Sequence, residues 1–183
     1  MVGNDAIFIA LGSNLAGPLG QPATQIELAI AAVARLLGCT LTARSQLYRS
    51  AALHLPLHKR SEQPDYINAV IAVESTLSPP LLLAQLQGIE AAFARQRGPQ
   101  RWSARTLDLD LLSYAQEQYQ SDYLTLPHPE MSQRSFVLLP LFEIAPDYRL
   151  SNGLSVRQQL KLLPPSRCEI ITGQHAAQLN RQV

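Results

Sequence analysis

The chain of 183 residues is predicted to fold as an α+β protein, on three observations. Apolar runs of strand length alternate with runs spaced for helix. Their order is strand, helix, strand, strand, helix, strand. The two middle strands follow one another with no helix between them, which calls for antiparallel neighbours. This order is the split βαβ arrangement of ferredoxin-like folds, a βαββαβ core whose sheet is covered by helices on one face.

Each element has its own signal. Ala6 to Leu11 (AIFIAL) is a compact run of strand formers, stopped by Gly12-Ser13-Asn14. Ile26, Ile30, Val33 and Leu37 recur at helical spacing, with Gly38 as the C-terminal stop. Leu41 to Tyr48 and Tyr66 to Glu74 read as strands. The loop between them, holding His54, Pro56, His58, Lys59 and Pro64, is too long for a tight hairpin and is expected to be functional. Ser78-Pro79-Pro80 opens a second helix whose apolar stripe is Leu82, Leu86, Ile89 and Phe93. The last core strand carries Leu107 to Leu112. Beyond it, residues 123–129 are extended, Ser135 to Ile144 form an apolar helix, Ser155 to Leu163 a final helix, and Glu169 to Thr172 a short strand. A single domain over residues 1–163, with C-terminal additions and a partly ordered tail over 164–183, is expected.

Net charge is +1, so no broad attraction to nucleic acid or membrane is indicated. Cys39 and Cys168 stand far apart without metal-ligand spacing, which disfavours a disulfide scaffold or a zinc site. The N-terminal residues lack a leader pattern and charges interrupt every apolar run, so a cytoplasmic protein is expected.

The chemistry concentrates in Arg105-Thr106-Leu107-Asp108-Leu109-Asp110-Leu111-Leu112. On a strand, Asp108 and Asp110 project together while Leu107, Leu109 and Leu111 face the other way. Two desolvated carboxylates repel, and a divalent cation relieves that repulsion. Mg²⁺ takes one or two protein carboxylates and completes its shell with water and phosphate oxygens. Arg95, Arg97, Arg101 and Arg105 crowd the preceding stretch, around Gly98, Pro99 and Trp102. Acids for a metal beside arginines for polyphosphate point to phosphoryl transfer. Gly12 to Gly17 has the G-x-x-x-x-G spacing but no Lys-Ser/Thr follows, so a P-loop is disfavoured, and no serine lies in a nucleophile elbow. Tyr66 and Phe136 read either as core aromatics or as a pair sandwiching a flat heterocycle, with Asn68 reading its edge through amide donor and acceptor.

The stretches AIFIALGSNL, YRS, QPDYINAVIAVES, RWSARTLDLDLL, LTLPHPEM and RSFVLLPLFEIAPD together resemble the 6-hydroxymethyl-7,8-dihydropterin pyrophosphokinases of folate biosynthesis. The resemblance covers nearly all of the chain to Asp147. It implies the ferredoxin-like fold, ATP as co-substrate with Mg²⁺, and transfer of pyrophosphate to the pterin's hydroxymethyl oxygen with release of AMP. Carried over by position, Asp108 and Asp110 look like the ligands of two Mg²⁺ ions. Gln87, Glu90, Arg97, Arg101, Leu111, Thr125, His128 and Arg134 match the ATP side, Leu111 at the adenine pocket. Arg95 and Arg105 match catalytic loop arginines. Tyr66 and Phe136 correspond to the pterin-stacking pair, Asn68 to its polar reader, Ser50 and Leu53 to backbone contacts, and Trp102 to a residue that closes over the site. The chain departs from the family pattern at Ser103-Ala104, at Gly98-Pro99, and at Ala52 and His54. The alcohol's proton has two candidate acceptors, Asp110 and a metal-bound water.

A monomeric enzyme is expected, acting on small molecules. The competing reading is a nucleotide-binding regulatory module of the same fold, whose arginines would serve recognition without turnover. The paired aspartates argue against it, and AMP formation separates the two. A D-x-D glycosyltransferase is disfavoured because no nucleotide-sugar domain of suitable size is present.

Overall fold

The computed structural model describes residues 5–52, 63–95 and 104–171. Its centre is β1 (Ile7–Ser13), followed in the chain by α1 (Pro22–Val33), β2 (Cys39–Arg44), β3 (Tyr48–Ser50), β4 (Tyr66–Ser75), α2 (Pro79–Ala92) and β5 (Asp108–Tyr114). A two-stranded ribbon of β6 (Tyr119–Gln120) and β7 (Thr125–Leu126) comes next. A 3₁₀ turn (Met131–Gln133), α3 (Ser135–Ile144), α4 (Val156–Leu160) and β8 (Cys168–Ile170) complete the described chain. In the main sheet β1 lies between β5 and β4, β2 and β3 share the far side of β4, and β8 adds outside β3. Every pairing is antiparallel.

Alternation along the strands sorts side chains to two faces. Ile7, Ile9 and Leu11 of β1, Ile67, Ala69 and Ile71 of β4, and Leu109 and Leu111 of β5 meet Ile26, Ile30 and Val33 of α1 and Leu82, Leu86 and Ile89 of α2. Each large side chain buried there contributes about 1.5–3 kcal/mol. The intervening residues Phe8, Val70, Ala72 and Leu112 point the opposite way, where Val137, Leu138 and Leu141 of α3 and Val156 of α4 cover them. Helices therefore lie on both faces, which corrects the expectation of cover on one face. The apolar side chains at alternate positions of β1, β4 and β5 need burial on the second side as well, and the C-terminal helices supply it.

Three expectations on element bounds also change. The strand expected over Leu41 to Tyr48 is broken: the β2 register shifts between Leu41 and Ala43. It then ends at Arg44, and in the gap before β3 the Ser45 N–H donates to the Val70 carbonyl (2.9 Å) and Ser45 Oγ accepts from the Val70 N–H (3.0 Å), so the residue substitutes for a ladder pair. Leu37 is 94% exposed and not part of the α1 stripe. The helix tightens after Val33 through Arg35 N–H to Ala32 O and Leu36 N–H to Val33 O, which puts Leu36 on the core instead. In the C-terminal segment the strand expected over Glu169 to Thr172 runs over Cys168–Ile170 instead, where it pairs with all three residues of β3. Among the described residues no helix is long and apolar enough to cross a membrane.

Candidate active site

On the α3 side the apolar cover runs out toward one end of the sheet. There the register places Asn68, Gly12 and Asp108 side by side across β4, β1 and β5, with Asp110 opposite Ala10 one step along. A pocket of about 310 Å³ opens over this row. Gly12 is its floor. A Cβ there would lie 3.7 Å from Asn68 Oδ1, 3.8 Å from a Tyr66 ring carbon and 3.9 Å from Asp108 Cβ. Those are ordinary contacts, so the strand tolerates a methyl group and the missing side chain leaves space for a ligand.

The two carboxylates are held differently. Asp108 Oδ2 accepts a hydrogen bond from Arg105 Nη1 (2.6 Å), while Asp108 Oδ1 stands 2.7 Å from Arg95 Nη2. The second approach is off hydrogen-bond angle, so Oδ1 has an ion-pair partner and no hydrogen bond. Among the described residues Asp110 has one ion-pair partner, Arg134 Nη1, at 3.6 Å. Surrounded by protein, it still keeps 39% of its side-chain surface open to the pocket. Burial first, and the neighbouring Asp108 charge second, push its carboxyl up to about 7, against the pull of Arg134 and Arg95. No three His, Cys, Asp or Glu side chains gather as a metal cluster among the described residues. Two carboxylates are nonetheless the set with which Mg²⁺ combines water and phosphate oxygens. A carboxylate oxygen without a hydrogen bond beside a carboxyl short of positive charge fits such an ion.

Arg95 reaches the site because α2 stops just before it. Ala94 adopts a left-handed φ of 58° and the Arg95 N–H bonds the Glu90 carbonyl (3.1 Å), which turns the chain back toward β5. Glu90 is buried behind this wall. Its carboxylate accepts the Leu109 N–H (2.7 Å) and pairs with Arg95. Burial raises its pKa, opposed by the Leu109 amide and by Arg95. Glu90 thus pins the strand between the two aspartates and aims one arginine at them. On the opposite wall, Arg134 pairs with Glu130 and lies 5.8 Å from the Phe136 ring centroid. His128 Nδ1 accepts the Glu130 N–H (3.2 Å), which places the ring proton on Nε2. Burial and the Arg134 charge lower the His128 pKa, so the ring is neutral at pH 7.

Asn68 is buried and its Nδ2 donates to Ser50 Oγ (3.0 Å), with Tyr48 O and Tyr66 O at 3.4 Å. Its donor is committed to the sheet, so the amide presents its carbonyl oxygen rather than both functions. Ser50 contributes through its hydroxyl, as the acceptor for Asn68.

The structure therefore brings ten expected residues to one pocket: Asp108, Asp110, Arg95, Arg105 and Arg134 on its charged side, and His128, Ser50, Tyr66, Asn68 and Phe136 around the rest. Leu111 is corrected: its side chain is 3% exposed and packs with Leu109 in the α1–α2 core, because strand alternation turns it away from Asp110. Gln87 on α2 and Thr125 on β7 are exposed and do not line the pocket. Leu53, Arg97, Arg101 and Trp102 lie outside the described residues. The sequence marks Gly12 only as a turn signal; its position inside β1 is what makes it a pocket residue.

The fold and the charged pocket define a class, an antiparallel-sheet protein that gathers paired carboxylates and arginines in one pocket. The model of the family 7,8-dihydro-6-hydroxymethylpterin-pyrophosphokinase (HPPK) matches residues 8–146. A 2-amino-4-hydroxy-6-hydroxymethyldihydropteridine pyrophosphokinase of Haemophilus influenzae is 43% identical over 154 residues, covering 84% of this chain and 90% of the relative. One of the same name from Pseudomonas aeruginosa is 39% identical over 167 residues, covering 91% and 97%. The chain belongs to the HPPK family. Among solved structures, an HPPK-DHPS in complex with substrates superposes with a TM-score of 0.65 at 12% identity over 86% of this chain. This chain spans 45% of that longer protein, and the likeness speaks for the fold alone.

Proposed function

We infer that the protein transfers the pyrophosphoryl group of ATP to the hydroxymethyl oxygen of 6-hydroxymethyl-7,8-dihydropterin, giving the pterin diphosphate and AMP, a step of folate biosynthesis. Family membership supports the reaction. The observation that carries the assignment of roles is the arrangement of Asp108 and Asp110 on one strand face with Arg95, Arg105 and Arg134 beside them. In the balanced reaction the pterin hydroxyl gives up its proton, for which Asp110 and a water are the candidate acceptors, its oxygen bonds to the β-phosphorus, the bond from that phosphorus to the α,β-bridging oxygen breaks, and AMP leaves with the electron pair.

Asp108 and Asp110 are the residues that would hold Mg²⁺, and we assign two ions to them. When bound, the ions would neutralise phosphate charge and favour the in-line displacement. Arg95 and Arg105 converge on Asp108 from one wall, and Arg134 approaches Asp110 from another, so phosphate oxygens entering between them meet guanidinium donors on both sides. Glu90 holds Arg95 in place. His128, neutral with its proton on Nε2, can donate a hydrogen bond without adding charge. Tyr66 and Phe136 flank the space for the pterin, and the Asn68 carbonyl oxygen accepts from its edge. With Arg97, Arg101, Gln87 and Thr125 assigned to the nucleotide, and Leu53, Ser50 and Trp102 to the pterin, the remaining roles follow the resemblance. Positioning and charge neutralisation supply most of the rate, since this transfer asks little covalent work of the protein.

The same reading takes the core as ferredoxin-like, supported by the order of β5, β1, β4 and the β2/β3 edge. It takes residues 1–163 as one domain with β8 added by the tail, and the protein as a cytoplasmic monomer. Incubation with Mg-ATP and hydroxymethyl-dihydropterin, with nucleotides resolved, tests the function. AMP appearing in step with pterin diphosphate is expected. Stoichiometric ADP with pterin monophosphate contradicts the reading, and ATP binding without turnover points to the regulatory module instead.

A further inference from the structure

Asn14, the residue after β1, is 2% exposed, and its N–H, Oδ1 and Nδ2 are all hydrogen-bonded. Its Oδ1 accepts the Arg105 N–H (2.8 Å), and its own N–H donates to the Arg105 carbonyl (3.1 Å), to which the Leu15 N–H also donates (3.2 Å). Both main-chain groups of Arg105 are therefore bound from one place, three residues ahead of Asp108. The third bond runs from Asn14 Nδ2 to the Pro64 carbonyl (3.2 Å), two residues ahead of Tyr66. Arg105 and Tyr66 are partners at the pocket wall, where the Arg105 charge acts on the Tyr66 hydroxyl.

We propose that Asn14 is a positioning residue for the reaction: one carboxamide ties the Arg105 main chain to the Pro64 carbonyl and so fixes where the Arg105 guanidinium stands relative to Asp108 and Tyr66. The proposal rests on the pyrophosphoryl-transfer reading. The residue type follows from the geometry. An acceptor is needed for the Arg105 amide and a donor for the Pro64 carbonyl, on one short buried side chain. Aspartate keeps the acceptor and sets a second oxygen against that carbonyl. Leucine offers neither function, and glutamine is a methylene too long for the 2.8 Å and 3.2 Å contacts.

A double-mutant cycle on AMP formation tests it, with Asn14→Ala, Arg105→Ala and the pair. Asn14→Ala is expected to lower kcat by about 10- to 100-fold, the cost of a misplaced group. Nucleotide affinity, read by calorimetry, should move far less, because the loss falls on the transition state. In the Arg105→Ala background the same change should cost less than about threefold, since the group it positions is already gone. Amide hydrogen exchange at Arg105 should accelerate in Asn14→Ala and stay slow in Asn14→Asp, which retains the acceptor; this readout needs no turnover. Should Asn14→Ala not fold, Asn14→Asp enters the cycle in its place, with a loss that again depends on Arg105. Wild-type protein that forms no AMP overturns the assigned reaction and this role with it. Wild-type turnover with an equal loss from Asn14 substitution in both Arg105 backgrounds, or with an unchanged kcat, overturns the positioning role alone.

Discussion

β1, β4 and β5 supply both faces of the sheet, yet the two faces differ in what is laid over them. Toward α1 and α2, Ile9, Ile71, Leu109 and Leu111 are buried without interruption. Toward α3, burial of Phe8, Val70 and Leu112 gives way to Gly12, Asn68, Asp108 and Asp110 within the same strands. One face spends its length on packing. The other packs for half its length and keeps the rest small, polar and charged, which leaves a concave site on a rigid base. Such a site is expected to be a source of instability that the opposite face offsets, because desolvated like charges oppose folding while buried leucines favour it.

The largest effect should come from the carboxylates. Asp108→Ala or Asp110→Ala should reduce turnover by about a thousandfold or more, since several kcal/mol of charge stabilisation is lost and each 1.36 kcal/mol is about tenfold. Thermal denaturation of the same variants should give a Tm no lower than wild type. A Tm collapse would place these residues with the packing face instead.

Gly12 sharpens the boundary between packing and site. Gly12→Ala should leave the Tm nearly unchanged, given contacts of 3.7–3.9 Å for the added carbon. Steady-state kinetics should show KM raised about tenfold, the scale of one methylene misplaced in a pocket. An unaltered KM would mean that no ligand reaches the sheet at this point.

Ionisation gives a third comparison. The folded Asp110 carboxyl stands near 7, above its ordinary value near 4. In the metal-free protein its contribution to stability is therefore complete below that ordinary value and is lost as pH rises through the folded value. A cation competes with the proton, so excess MgCl₂ should raise Tm more at about pH 8 than at about pH 5.5. Differential scanning calorimetry of wild type and Asp110→Asn checks this; the pH dependence of the Mg²⁺ effect should shrink in the variant.

The smallest effect concerns the turn that delivers Arg95. Ala94 at φ 58° carries left-handed strain of about 1 kcal/mol. Ala94→Gly should raise stability by about that amount in urea titration while kcat stays near wild type. Loss of activity would show that the turn needs the stiffness of a side chain to hold Arg95.

Asp108 and Asp110 were legible because strand alternation is a strict rule, and Leu107, Leu109 and Leu111 marked the opposite face. The same rule excluded Leu111 as a side chain of the site, where position in a motif suggested otherwise. The cover over Phe8 and Leu112 was not legible: Ser135 to Ile144 is apolar nearly all round, so its sequence announces burial without saying against which surface. Leu37 fitted the helical stripe, and only the tightening of the chain after Val33 removed it. Glu90 stood out by resemblance alone, since a glutamate near a helix end is ordinarily solvated. Its bonds to Arg95 and the Leu109 amide depend on a tertiary approach of α2 to β5 that no local pattern encodes. Asn14 lay in a visible Gly-Ser-Asn stop, but its partners Arg105 and Pro64 are distant in sequence.

The division of labour between the faces is tested most directly at two neighbours on one strand, Leu109 and Asp110. Urea unfolding and AMP formation, measured on Leu109→Ala and Asp110→Asn side by side, should give opposite outcomes. Leu109→Ala should lose about 2–5 kcal/mol of stability and keep most of its turnover per folded molecule below the transition. Asp110→Asn should keep or gain stability and lose nearly all turnover. Loss of stability in Asp110→Asn with turnover retained, or loss of both properties in both variants, would contradict the account.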